Sequence, residues 1–207
     1  MDLLDLVKSQ LSDQLIDGLS SQVGIGNREQ TQNATLAAAT TLINALSRNA
    51  ATQDGASALS GALNRDHDGS ILNDLAGMLL NQGQNNNANT QSSMLNGAGI
   101  LKHVLGGKQN DVIGLIAKMA GLDQNASASI LTKIAPLVMG VLGQQQRQQS
   151  LDPSGLADLL SQNKRTIQQK DTSMGIFEKI LDQDGDGSIA DDAANIGMKL
   201  LGGLFKK

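Results

Sequence analysis

Eight aspartates gathered in two short stretches carry the clearest chemistry in this 207-residue chain. Asp182, Asp184 and Asp186 alternate along Asp182-Gln183-Asp184-Gly185-Asp186-Gly187-Ser188-Ile189. Carboxylates at alternate positions of a curling loop converge on one point, as needed to replace the water shell of a hard divalent cation. Gly187 follows where the chain must turn sharply and a Cβ would hinder it. Ser188 then offers its main-chain carbonyl, and Ile189 turns back as an apolar anchor. Asn64-Arg65-Asp66-His67-Asp68-Gly69-Ser70-Ile71 repeats the layout, with an amide oxygen replacing the first carboxylate.

These residues fit the first eight positions of an EF-hand calcium loop. The pattern departs at its end. An EF-hand closes its shell with a bidentate Glu at position 12, where this chain has Leu75 or Ala193. Asp74 or Asp192 stands one position earlier. Both copies share the shift, which reads as a shortened loop whose exiting helix starts about one residue early. Such loops resemble the dockerin type more than the calmodulin type. The expected ligand sets are Asn64, Asp66, Asp68, Ser70 and Asp74 for the first site, and Asp182, Asp184, Asp186, Ser188 and Asp192 for the second. The short Asp arm binds through one oxygen and leaves water to complete the shell, which predicts dissociation constants of about 10⁻⁵ to 10⁻³ M. Main-chain oxygens and a flexible shell favour Ca2+ over Mg2+ at both sites. The competing reading is that the aspartates only form Asx turns and cap the following helices. His67, at the solvent-facing fourth position, is not expected to be a ligand.

Composition narrows the alternatives. Of the 20 acidic residues, only Glu29 and Glu178 are glutamates, and concentrated Asp is loop chemistry rather than helix-surface chemistry. Cysteine is absent, which excludes disulfides, thiolate metal sites and cysteine catalysis. With no Trp or Tyr and two Phe, no stacking platform for bases or sugars can be built. A net charge of −4 argues against nucleic acid as a partner, and two bound divalent ions would bring that charge to zero. Neither His has an acid/base partner at readable spacing, so no enzyme is expected. His103 reads as a helix-surface residue.

The elements that must position the loops are helical. Leu3, Val7, Leu11, Leu15 and Leu19 step by four, the pattern of one amphipathic helix. Shifting the chain by 97 residues brings a second copy into view: Leu4 meets Leu101, Val7 meets Val104, Ile16 meets Ile113 and Gly24-Ile25 meets Gly121-Leu122. Each glycine pair fits a helix stop followed by an apolar staple. Longer helices are predicted over Glu29–Arg48 and Gln124–Leu142, and shorter ones over Gly55–Leu63 and Pro153–Gln162. Asp152 is placed to cap the last of these, with Pro153 at its first position. Pro136 should kink its helix or start a new turn. Residues 144–149 read as an exposed loop or as a solvent-facing extension of the preceding helix.

The predicted class is therefore all-α: an internally duplicated helical bundle with two calcium loops and no significant β-sheet. Residues 1–81 form the first repeat, ending in the helix that leaves the first loop. Residues 82–94 form an Asn/Gln-rich linker. Residues 95–207 form the second repeat, with an extra helix at Met174–Leu181 entering the second loop. The chain start lacks the basic and apolar regions of a signal peptide. The longest apolar run, Ile134–Gly143, is half of the roughly 20 residues a spanning helix needs. Met198–Lys207 has the make-up of a small basic amphipathic membrane binder, but two glycines favour core docking of its Leu/Phe face.

The chain also resembles the YidB-like family of uncharacterised bacterial proteins. The residues that carry this are Arg48-Asn49-Ala50-Ala51, Asp66-His67-Asp68-Gly69-Ser70, Gly97-Ala98-Gly99-Ile100-Leu101, Ala135-Pro136-Leu137-Val138-Met139-Gly140 and Asp184-Gly185-Asp186-Gly187-Ser188. The resemblance implies an all-helical fold of bacterial origin and no catalytic residues. The expected role is a non-enzymatic calcium-binding protein with a structural or protein-interaction role and an unidentified protein partner. The alternatives are a calcium-gated interaction switch, for which Met78, Met119, Met139, Met174 and Met198 supply apolar surface, or a weak peripheral membrane binder. The missing signal peptide and the family point to a cytoplasmic setting, although weak calcium loops fill most readily outside cells.

Overall fold

Two long helices, each carrying more small and apolar residues than one face can hold, lie at the centre of the fold. The computed structural model describes residues 2–66 and 96–170. The described residues are helical with no strand: α1 Leu3–Gln10, α2 Asp13–Val23, α3 Arg28–Asn49, α4 Gln53–Asp66, α5 Gly97–Leu105, a 3₁₀ turn Gly106–Lys108, α6 Gln109–Ala120, α7 Gln124–Gln148 and α8 Pro153–Lys170. Among the described residues the expected all-helical class holds.

Helix α3 starts where Asn27 Oδ1 accepts the N–H groups of Glu29 and Gln30 at 3.0 and 3.3 Å. It buries Ala34, Ala37, Ala38 and Ala39, whose single methyls let neighbouring backbones approach, and then Leu42, Ile43 and Leu46. Helix α7 opens on Asp123, which accepts the Ala126 N–H at 2.9 Å. It buries Ile130, Leu131, Ile134, Leu137, Val138, Val141 and Leu142. The two helices pack on each other, and the shorter ones cross over between them. Helices α6 and α8 lie on α3, while α1, α2 and α4 lie against α7. Residues on either side of 67–95 thus share one hydrophobic core.

The sequence expectation of one helix over Leu3–Leu19 is corrected at Leu11–Ser12. Ser12 Oγ accepts the Leu15 N–H at 3.3 Å and starts a second helix, a local bond that competes with continuing the first. The four-residue spacing persists across the break, so Leu3, Val7, Leu15 and Leu19 are all buried. In the matching stretch, Gly106 interrupts α5 and α6 with φ +56° and ψ −131°, a backbone open only to glycine. Both anticipated stops are present. Gly24 (φ +73°) and Gly121 (φ +67°) are left-handed, and Ile25 and Leu122 donate back to the Ser20 and Ala117 carbonyls at 3.0 and 2.9 Å.

Helix α7 runs unbroken through Pro136 to Gln148, beyond the expected end at Leu142. It is long and apolar enough to cross a membrane, but 78% of its most apolar window is buried in this fold. The glutamines of its last turns, up to Gln148, are helical rather than looped. Gln146 is 4% exposed and donates to Ser60 Oγ of α4 at 2.6 Å and to the Leu151 carbonyl at 3.4 Å. Helix α8 extends to Lys170, eight residues past expectation, because Leu156, Leu160 and Ile167 remain buried along it. Its Asn163 side chain accepts the Leu3 N–H at the start of α1. The linker 82–94 and the basic tail 198–207 lie outside the described residues.

Candidate functional site

The first aspartate stretch begins on α4. That helix starts with Thr52 Oγ1 accepting the Gly55 N–H at 3.2 Å, and it buries Ala56, Leu59, Ser60 and Leu63. Helical backbone then continues through Asn64, Arg65 and Asp66, three residues past the sequence expectation. Arg65 in this last turn suits the negative end of the helix dipole. Residues two apart on an α-helix are rotated by about 200° about its axis, so their side chains point about 160° apart. Asn64 and Asp66 therefore leave α4 on different sides and are not brought together in this conformation. Asn64 is exposed and Asp66 half-buried. The other expected ligands, Asp68, Ser70, Asp74, Asp182, Asp184, Asp186, Ser188 and Asp192, lie outside the described residues, as does His67. Among the described residues no three His, Cys, Asp or Glu side chains are grouped closely enough to hold a metal ion.

Asp66 opens instead onto a cavity of about 870 Å³ between α4 and α5. One wall is the small-residue face of α4, with Ser57, Ala58, Gly61 and Ala62; the other is Gly99, Ile100 and His103 of α5. The floor is apolar, formed by Leu46, Leu59, Val104 and Met139. Asn49, Arg65, Asp66 and Asn96 make the polar rim. Asn96 caps α5 by accepting the Gly99 N–H at 2.8 Å, and Asn49 Nδ2 donates to the Val104 carbonyl at 3.0 Å. Both asparagines are thereby held in place at the cavity edge. His103 is exposed on the helix surface, as expected. Of the methionines considered for a switch, Met139 lies in the cavity floor and Met119 is 43% exposed on α6. Met78, Met174 and Met198 lie outside the described residues.

The cavity was not legible in the sequence. Its only trace was the run of Gly, Ala and Ser on α4, which is compatible with any close helix contact.

Residues 5–145 match the model of the family described as bacterial protein of unknown function, DUF937. The chain belongs to this family. For DUF937 the matched region runs from α1 to near the end of α7 and includes the first aspartate stretch and both walls of the cavity. It stops before the second stretch and before α8. This agrees with the sequence resemblance to uncharacterised bacterial proteins. No curated protein and no solved structure matches the chain.

Proposed function

We propose that this chain is a non-enzymatic calcium-binding helical protein with a structural or protein-interaction role, built from a duplicated helical unit. The observation that carries the reading is the layout shared by the two stretches: oxygen donors at loop positions 1, 3 and 5, glycine at 6 and aspartate at 11. The duplication is supported by the matched order of α1–α4 and α5–α8 and by left-handed glycines at corresponding positions, Gly24 and Gly121. Two Ca2+ ions holding carboxylates from loop and exiting helix would add folding free energy of several kcal/mol. The test is a calorimetric calcium titration of the full chain beside Asp68→Ala and Asp186→Ala. Each variant should lose one of two sites; heats that do not saturate, or that neither variant alters, would overturn the reading.

A second reading, a calcium-gated interaction switch, is favoured by the apolar cavity that Asp66 borders. An ion that rearranges the end of α4 would change the shape of that cavity's wall. A calcium-dependent change in the fluorescence of an apolar dye separates a switch from a purely structural ion.

A further inference from the structure

Both ends of one stretch of chain stand on the rim of the groove between α4 and α5. Asp66 ends α4 and Asn96 caps α5, so residues 67–95 leave from one rim residue and return at the other. Within residues 71–80, Ile71, Leu72, Leu75, Met78, Leu79 and Leu80 are large and apolar, and Asp74 is the one charge. Counted from Ile71, the next four of them follow at steps of one, four, seven and eight, the spacing of one apolar helix face. Five residues span at most about 17 Å, which keeps the start of that face beside Asp66. Residues 81–93 then carry no large apolar side chain. As a polar coil they reach about 20 Å, enough to bring the chain back to Asn96.

The groove offers a complementary surface. Ser57, Ala58, Gly61 and Ala62 follow one another on α4 at steps of one, four and five and form one wall. Side chains this small let an opposing helix approach closely. Half-buried Ile100 stands on the other wall, above the apolar floor of Leu46, Leu59, Val104 and Met139. We propose that residues 71–80 dock as a helix in this groove, with Leu72, Leu75, Met78 and Leu79 turned onto Leu59, Ile100, Val104 and Met139. The groove is then an internal docking surface, filled by the chain's own segment rather than by a separate ligand. This inference goes beyond the calcium reading and does not rest on it. The expected donors Asp68 and Ser70 lie in the tether between Asp66 and Ile71, so the test is run in excess EDTA and the two fail separately.

Methyl NMR of the full chain, labelled at Ile, Leu, Val and Met, tests this without any substitution. Nuclear Overhauser cross-peaks should join the methyls of Leu72, Leu75, Met78 and Leu79 to those of Leu59, Ile100, Val104 and Met139. The combined variant Leu72→Asp, Leu75→Asp and Leu79→Asp should lose them, while cross-peaks among the buried methyls of α3 and α7 persist. A synthetic peptide of residues 70–81 then separates a filled groove from one left open to a partner. The tethered copy competes at an effective concentration of about 1 mM, so the peptide should bind the variant at least about tenfold more tightly than wild type. Absence of the cross-peaks in wild type, or equal peptide binding to both chains, overturns the proposal. Cross-peaks found only between differently labelled chains in a mixed sample would assign the groove to a second copy and overturn it as well.

Discussion

Gly97, the first residue of α5, lies so close to the main-chain carbonyl of Thr132 in α7 that a Cβ on it would stand 1.9 Å from the oxygen. Thr132 is four residues before Pro136, whose nitrogen carries no hydrogen to donate back to that carbonyl. A proline in one helix and a glycine in its neighbour thus meet at one oxygen. The glycine is needed there for the space it leaves, since it does not have a positive φ.

Gly97→Ala should therefore destabilise the fold by about 1–3 kcal/mol, read from the urea midpoint. In a Pro136→Ala background the carbonyl regains a helical donor and can tilt back toward its own axis. The cost of Gly97→Ala should then fall, giving a coupling of about 1 kcal/mol in the double-mutant cycle. Strict additivity would mean that the contact is not strained in the way the spacing implies.

Much of this arrangement was legible in the sequence, and the reasons differ by element. Helix stops at Gly24 and Gly121 could be read because a left-handed residue followed by an apolar one is a local signal. The break at Ser12 was missed because four-residue spacing continues across it, and capping by one hydroxyl leaves that spacing intact. Burial of Gln146 was missed because its partners, Ser60 and the Leu151 carbonyl, come together only when α4 packs on α7 and α8. The crossing of the two halves had no local signal either. The proposed metal donors can be named from the sequence because loop spacing carries that chemistry, whereas the cavity between α4 and α5 arises from helices distant in sequence.

The Gln146–Ser60 pair separates loss of a partner from loss of a polar group. Ser60→Ala leaves the buried Gln146 amide with only its longer bond to Leu151 and should cost about 1–2 kcal/mol. Gln146 Oε1 already lacks a partner among the described residues. Adding Gln146→Met to Ser60→Ala removes the stranded amide at similar length, so the double variant should be more stable than Ser60→Ala alone. Chemical denaturation of the three variants checks the order.

Asp152 gives a pH-dependent test. Its carboxylate accepts the Gly155 N–H at 2.7 Å and the Ser154 hydroxyl at 2.8 Å, and these bonds, the Gly155 one foremost, hold its pKa below the ordinary 3.8. The charged form is favoured by the folded state, so its contribution is present above the unfolded pKa and disappears as pH falls through the lower folded value. Asp152→Asn keeps a capping oxygen without the charge. Wild type should be more stable than Asp152→Asn at about pH 6, and the two should converge toward about pH 2. A constant difference across that range would place the effect elsewhere than in the charge.

Helical backbone at Asn64 and Asp66 would make the proposed calcium binding at the first stretch a conformational event. Their side chains diverge by about 160° around α4, so one ion can hold both only if the last turn opens. Calcium should therefore shift the carbon resonances of residues 64–66 away from helical values while those of Ala56–Leu63 stay unchanged. Free ion at about a hundred times the dissociation constant should stabilise the chain by about 2.7 kcal/mol per site, and excess EDTA should reverse this. Asp68→Ala should leave the turn helical at every calcium concentration. Saturating calcium that leaves residues 64–66 helical would show that Asn64 and Asp66 do not share an ion, and the first stretch would then be left with the role of a helix-capping turn.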